Sequence, residues 1–163
     1  SDTDGCQGGK NWVRQTNGVW ANLCAFGVSG DLAIRATVDV PDQGQFIDVG
    51  NSLAGNFSPT LIGGGSLATG QNLTLVFANL PPFDAGWLFI GVVELNAPFL
   101  GGTLVPDPLV TIILPTGPGT IIINDTMPGG IPSGAEIFLH MWVADPGGPQ
   151  GASATNALKL ITP

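Results

Sequence analysis

The chain has 163 residues, enough for one domain with a sizeable hydrophobic core. Hydrophobic residues make up 44% of it and charged residues only 10%, and its net charge of −8 reflects a scarcity of Lys and Arg. Scarce basic side chains argue against nucleic acid and anionic membrane surfaces as partners. The sequence contains no apolar run near the roughly 18–20 residues that a membrane-spanning helix requires.

The N-terminal region has the pattern of a β-hairpin followed by a single strand. Residues 12–16 and 19–23 flank Asn17-Gly18, which favours a two-residue type I′ turn. Residues 31–40 then alternate cleanly between apolar and polar side chains, which predicts a strand with one buried face. The polar face carries Arg35, Thr37 and Asp39. The apolar face consists of Leu32, Ile34, Ala36, Val38 and Val40.

Two cysteines, Cys6 and Cys24, flank this hairpin. A disulfide between them would close a loop of about 19 residues and contribute roughly 3 kcal/mol. The alternative is a pair of reduced thiols in a cytosolic protein. The polar loops, the scarcity of Lys and the absence of helical periodicity favour an oxidising compartment, so we expect an extracellular or cell-surface protein.

The rest of the chain predicts an all-β domain. The 25 glycines and 14 prolines punctuate apolar runs of strand length, and no segment has a 3.6-residue period. Residues 45–57 form a weaker connector with one short strand. We therefore predict an antiparallel β-sandwich, Ig-like or jelly-roll-like, over residues 51–163, with residues 1–50 as a hairpin and strand extension. The predicted sandwich strands are 59–63, 71–79, 85–95, 109–114, 119–124, 134–144 and 155–161.

The strand predicted over 134–144 is apolar on both alternating faces. One face carries Ile137, Leu139, Met141 and Val143, and the other carries Phe138, His140 and Trp142. A two-sheet sandwich buries only one face of each strand. We therefore expect an additional layer, supplied by residues 1–50 or by a neighbouring subunit. Phe138, His140 and Trp142 are candidate acceptor or interface residues.

No catalytic motif stands out. The chain has one histidine, and the segment Gly50-Asn51-Ser52-Leu53-Ala54 lacks the second glycine of a nucleophile elbow. Two cysteines and one histidine, far apart in sequence, are too few for a structural zinc site. We predict that the protein is not an enzyme and has no metal and no cofactor. Glycosylation acceptor motifs begin at Asn72 and Asn124.

Several short motifs carry a resemblance to a known group of domains. They are Ala78-Asn79-Leu80-Pro81-Pro82, Trp87-Leu88-Phe89-Ile90-Gly91, Gly101-Gly102-Thr103-Leu104-Val105-Pro106, and Asp145-Pro146-Gly147-Gly148-Pro149 with Thr155-Asn156-Ala157-Leu158. Through them, residues 59–163 resemble a C-terminal β-sandwich domain of secreted planctomycete and myxobacterial proteins. This resemblance implies a fold and a location but no activity. In architecture alone, the whole chain is similar to subunits of extracellular bacterial filaments assembled by strand donation.

Two functions of different class follow from these patterns. The first is a pilus-like structural subunit that polymerises with itself head-to-tail, by inserting its 31–40 strand into the next copy. The second is a secreted carbohydrate-binding module, in which the four tryptophans stack on surface glycans. A monomeric secreted domain of unknown role, with residues 1–50 packed on their own sandwich, is the remaining alternative.

Overall fold

The computed structural model describes residues 12–14, 20–22 and 43–163. The chain divides into two compact units, Ser1–Asp39 and Val40–Pro163. The fold is all-β, with antiparallel sheets packed together as in a β-sandwich. The predicted fold class is therefore confirmed.

In the first unit, strands β1 (Trp12–Arg14) and β2 (Trp20–Asn22) pair antiparallel, as the sequence predicts. Arg14 lies opposite Trp20 at the end of this pairing. The turn predicted at Asn17-Gly18 lies outside the described residues and stays a prediction.

The second unit contains two main sheets and one separate hairpin. The larger sheet has the strand order β3-β13-β11-β6-β9, with β12 also paired to β11, and the smaller sheet has the order β10-β5-β4. Strands β7 and β8 pair only with each other among the described strands. The strands are β3 (Gln45–Gly50), β4 (Thr60–Gly65), β5 (Asn72–Ala78), β6 (Ala85–Gly91), β7 (Glu94–Phe99), β8 (Gly102–Pro106), β9 (Val110–Pro115), β10 (Ile121–Thr126), β11 (Glu136–Ala144), β12 (Ala152–Ala154) and β13 (Ala157–Ile161).

Most of these strands coincide with the predicted ones within two residues. β8 and β12 were not predicted, and the predicted strand 85–95 is divided by the structure at Val92 and Val93, between β6 and β7. The backbone of Gly91 approaches Asp107 so closely that a Cβ at this position would lie 2.1 Å from the Asp107 carbonyl oxygen. The sequence did not predict this bend, because the segment around Val92-Val93 is apolar and a pair of valines gives no turn signal.

The main hydrophobic core lies between the two sheets. Leu88 of β6 and Met141 of β11 contribute to it from the larger sheet, and Phe77 of β5 from the smaller one. The inward side chains follow the period of two that strand geometry imposes. This core explains the first apolar face of β11, formed by Leu139, Met141 and Val143.

The second face of β11 is covered mainly by the β7–β8 hairpin. Trp142 packs with Leu104 of β8, and Phe138 packs with Val105. The ring of Phe99 in β7 stands edge-on to Trp142, with centroids 5.0 Å apart. The expected additional layer therefore exists, and over β11 it comes mainly from residues 94–106 of the same chain. Of residues 1–50, the expected source in this chain, Val49 also packs against the Phe138 cluster.

Candidate functional site

One side of the sandwich is bordered by two strands that each have a single partner among the described strands. β9 pairs with β6 at the end of the larger sheet, and β10 pairs with β5 at the end of the smaller one. They follow each other in sequence through residues 116–120. We call the two edges and their inward-facing side chains the β9–β10 side.

Strand pairing identifies which side chains of β9 point toward the core. Directly opposed residues of antiparallel strands share a face of the sheet. Ile112 lies opposite Leu88, which is buried in the main core, so Ile112 faces inward. By the same register Val110 and Leu114 face inward, opposite Ile90 and Gly86.

These inward-facing side chains are nevertheless open to solvent. Val110 is 45% exposed and Ile112 is 40% exposed, while Leu114 is half-buried. Ile121 and Ile123 of β10 lie opposite the buried Phe77 and Leu75, and they are also only half-buried. The β9–β10 side therefore exposes an inward-facing apolar surface that the described residues do not cover. Its members are Val110, Ile112, Leu114, Ile121 and Ile123.

The opposite side of the sandwich, between β3 and β4, is closed by comparison. Phe46 of β3 packs against the main core, and its ring lies directly beside the backbone of Gly63 in β4. A Cβ at Gly63 would lie 2.2 Å from Cδ1 of Phe46 and 2.9 Å from Cδ2 of Leu158. Glycine is thus required here for the aromatic ring to seal this side. No comparable aromatic side chain is found on β9 or β10.

The three candidate acceptor residues of β11 are enclosed within their own chain. Phe138, His140 and Trp142 are each no more than 1% exposed. The Nδ1 atom of His140 accepts a hydrogen bond from the Val105 N–H at 3.3 Å, and its Nε2 lies 2.9 Å from the Thr155 carbonyl oxygen. These contacts fix a neutral ring with the proton on Nε2. A role for these three residues in an interface remains a prediction.

Burial determines the charge state of His140. Loss of hydration lowers the pKa of its imidazole from 6.5 to about 4, although the hydrogen bond to the Thr155 carbonyl partly opposes the shift. The ring is therefore neutral at physiological pH. It ties β11 to β8 and to the segment that precedes β13, and so it serves the packing of the hairpin layer.

A second buried polar group organises the loops next to β11 and β12. Burial by itself would raise the pKa of Asp145, but hydrogen bonds from the backbone N–H groups of Phe57 and Gly147 hold it below its ordinary value. Both bonds are 3.0 Å long. The carboxylate therefore holds the 53–58 and 145–148 segments together. In the sequence, Asp145 is marked only as part of an Asp-Pro-Gly-Gly-Pro motif, and nothing there indicates its role in holding two loops together.

An apolar groove opens on the outer face of the larger sheet, beside the β7–β8 hairpin. It has a volume of about 280 Å³. Trp87, 38% exposed, forms one wall, and Leu100, which is also exposed, lies at its rim. We call it the Trp87 groove. It is lined by Trp87, Phe89, Phe99, Leu100, Trp142, Val143, Ala144, Gln150, Gly151 and Ala152.

The remaining predicted sites fall partly outside the described residues. Cys6, Cys24 and the whole 31–40 segment lie there, so the disulfide and the donor strand stay predictions. Asn72 and Asn124 are exposed on neighbouring strands, and the Thr74 hydroxyl donates a 2.8 Å hydrogen bond to Oδ1 of Asn124. Their glycosylation stays a prediction.

Among the described residues, no group of three or more His, Cys, Asp or Glu side chains is arranged to hold a metal ion. The described part of the chain also contains no helix long and apolar enough to cross a membrane.

Comparison of the chain with protein-family models, curated proteins and solved structures gave no match. What the comparisons and the structure support together is an all-β, multi-sheet domain. The resemblance to secreted bacterial β-sandwich domains rests on its sequence motifs. The function of the chain is therefore inferred from its own geometry.

Proposed function

We propose that this protein is a structural subunit of an extracellular, pilus-like filament. Residues 31–40 of one copy insert as a β-strand along the β9–β10 side of the next copy, and repetition of this contact builds the polymer. One observation carries the proposal: Val110 and Ile112 face inward in the sandwich and yet are 45% and 40% exposed. A core that is open along one side needs an apolar strand to complete it.

The proposed donor and acceptor match in pattern. The donor presents five apolar side chains at every second position, as does the inward face of a strand. Its other face, with Arg35, Thr37 and Asp39, stays in water. Among the described strands, β9 and β10 each have one edge without a partner, and the donor backbone can hydrogen-bond there. Insertion would also remove an exposed edge that otherwise favours uncontrolled aggregation.

The free energy from the buried area is comparable with the free-energy cost of association. Five aliphatic side chains remove about 300–400 Å² of apolar surface from water, equivalent to about 8–10 kcal/mol at roughly 25 cal/mol per Å². Burial of the exposed parts of Val110 and Ile112 adds to this, as do main-chain hydrogen bonds. Association opposes it by about 4–15 kcal/mol. The combined contributions are thus of the size required for a lasting contact between subunits.

Chain connectivity favours insertion into a neighbour. The carbonyl oxygen of Gln43 accepts a 2.7 Å hydrogen bond from the Leu67 N–H, which anchors the chain just before β3. Three residue steps separate Val40 from Gln43 and span at most about 11 Å. The edges β3 and β9 are four inter-strand spacings apart, about 19 Å. The link from Val40 to Gln43 is therefore shorter than the larger sheet is wide, which supports insertion into a neighbouring copy.

The carbohydrate alternative has less support from the described residues. The Trp87 groove is lined almost entirely by apolar groups, and the side chain of Gln150 and the indole N–H groups of Trp87 and Trp142 are its polar groups. Sugars present many hydroxyl groups, and each one buried without a partner weakens binding. Trp142, a tryptophan considered for stacking, is 1% exposed.

The proposal is tested by placing a charge on either partner of the contact. Ile34→Asp in the donor and Ile112→Lys in the acceptor should each abolish assembly of the full-length chain, because each variant buries an uncompensated charge at the contact. The matched controls are Thr37→Asp, on the other face of the donor strand, and Ile122→Lys, on the outward face of β10 opposite Val76. Both controls should assemble as the unmodified chain does.

Filament formation is measured by sedimentation and negative-stain electron microscopy. Far-UV circular dichroism must show that all four variants keep the β-sheet content of the unmodified chain. Assembly by Ile34→Asp at the unmodified concentration would contradict the proposal. It would indicate that the 31–40 segment serves its own chain, for example by pairing with the β3 edge. A full-length chain that remains monomeric at high concentration would also contradict it.

A further inference from the structure

An exposed aromatic residue protrudes from the turn between β5 and β6. Phe83 follows Pro81-Pro82 and is 86% exposed, the largest exposure among the large hydrophobic side chains of the described residues. Its backbone N–H donates a 2.6 Å hydrogen bond to the Gly117 carbonyl oxygen. The turn is thereby fixed against the loop that joins β9 and β10, and the ring is held away from the sandwich.

The backbone at Phe83 has an unfavourable conformation for this residue type. Its φ of +57° lies in the left-handed region, where glycine and asparagine are favoured and bulky side chains are rare. The residue thus combines a strained backbone with an aromatic ring in water. Asn or Gly would avoid both costs. A conformational outlier of this kind is a reason to look for a function.

The Trp87 groove has the properties of a receptor for such a ring. Its volume of about 280 Å³ lies at the low end of ligand pockets and suits one ring-sized group. Its lining contains no charged side chain. Phe89 and Phe99 meet edge to face with centroids 5.8 Å apart, so an inserted ring would extend an existing aromatic cluster. The indole N–H of Trp142, which also lines the groove, has no hydrogen-bond acceptor among the described residues.

We propose that Phe83 of one copy inserts into the Trp87 groove of a neighbouring copy. Phe83 is almost fully exposed in its own chain, so it does not occupy its own groove. The contact pairs two different surfaces and can therefore repeat from copy to copy. It rests on the proposed self-association and adds a second point of attachment to strand insertion. An aromatic side chain in a small apolar pocket is a typical energetic centre of a protein interface.

The test uses the full-length chain and measures the concentration required for assembly. Phe83→Asn removes the ring and suits the left-handed backbone, so the fold should be retained. Leu100→Asp places a carboxylate at the groove rim, on an exposed residue whose φ is also positive. Each variant should raise the required concentration about ten- to hundredfold. The double variant should be little worse than either single variant, because both remove the same contact.

Ile62→Asn is the matched control, since Ile62 is an aliphatic residue 63% exposed on β4, away from the groove and the β9–β10 side. It should assemble as the unmodified chain does. If Phe83→Asn also assembles normally, the Phe83 contact is disproved and the groove serves another ligand. Fully additive effects of Phe83→Asn and Leu100→Asp would likewise overturn it.

The same measurements separate this contact from strand insertion. If Ile34→Asp blocks assembly while Phe83→Asn does not weaken it, strand insertion stands and the Phe83 contact fails. If Ile34→Asp assembles normally while Phe83→Asn weakens assembly, the Phe83 contact stands and strand insertion fails.

Discussion

Mild acidification, to about pH 5, should destabilise the folded domain mainly through His140. The chain has no other histidine, and His140 is 0% exposed with both ring nitrogens hydrogen-bonded. Protonation of Nδ1 would place a hydrogen against the Val105 N–H that now donates to it. The folded protein therefore resists taking up this proton, whereas the unfolded chain binds it with an ordinary pKa.

The size of the effect follows from the two pKa values. The pKa of His140 falls from 6.5 to about 4 on folding, so stability is complete above about pH 6.5 and decreases as the pH falls towards 4. The full difference corresponds to about 3 kcal/mol, of which about 2 kcal/mol should be lost by pH 5. Asp145 acts at lower pH, because its pKa lies below the ordinary value and its contribution is lost only as the pH falls through that lowered value.

The assay is urea unfolding of the full-length chain at pH 7.5 and pH 5.0, followed by circular dichroism. The unmodified protein should lose about 2 kcal/mol of unfolding free energy between the two conditions. His140→Gln, which retains one donor and one acceptor, should lose much less. Equal stability of the unmodified protein at the two pH values would refute this account of His140. So would an unchanged pH dependence in His140→Gln.

Three further predictions concern stability and covalent structure. Leu139→Ala should lower the free energy of unfolding by about 2–5 kcal/mol in urea titrations, because Leu139 is buried in the main core. The control Ile62→Ala changes an exposed residue and should lower it by less than about 0.5 kcal/mol. Asp145→Asn should cost about 1.5–3 kcal/mol in the same titrations, because the backbone N–H groups lose a charged acceptor. Intact mass after alkylation should show Cys6 and Cys24 unreactive until reduction, and two alkylated thiols without reduction would contradict the disulfide.

The strand pattern of the sequence predicted most of the sandwich because burial on one face imposes a period of two. The alternation in 72–78 leads directly to the buried Leu73, Leu75 and Phe77 of β5. The β7–β8 hairpin was missed because its pattern is irregular. In β7 the residues are mostly exposed, and the register shifts between Glu94 and Ala97.

The two-sided apolar pattern of β11 was read correctly as requiring a second layer, but its source could not be predicted. Which segment folds over Trp142 depends on tertiary packing, and no local property of 94–106 marks it as the cover. The β9–β10 side was missed for a related reason. The apolar runs 110–114 and 121–123 signalled strands, but only the sheet order shows that both are edges.

Strand exchange between copies is tested most directly by mixing two assembly-deficient variants. Ile34→Asp removes a functional donor and leaves the acceptor intact, whereas Ile112→Asp removes the acceptor and leaves the donor intact. Two carboxylates repel each other, so neither variant compensates for the other at the blocked contact. Each variant alone should sediment as a monomer. Mixed in equal amounts, they should form dimers of one copy of each and no filaments, because only one contact per pair remains. A mixture that stays entirely monomeric while the unmodified chain polymerises would contradict donation of the 31–40 strand to the β9–β10 side.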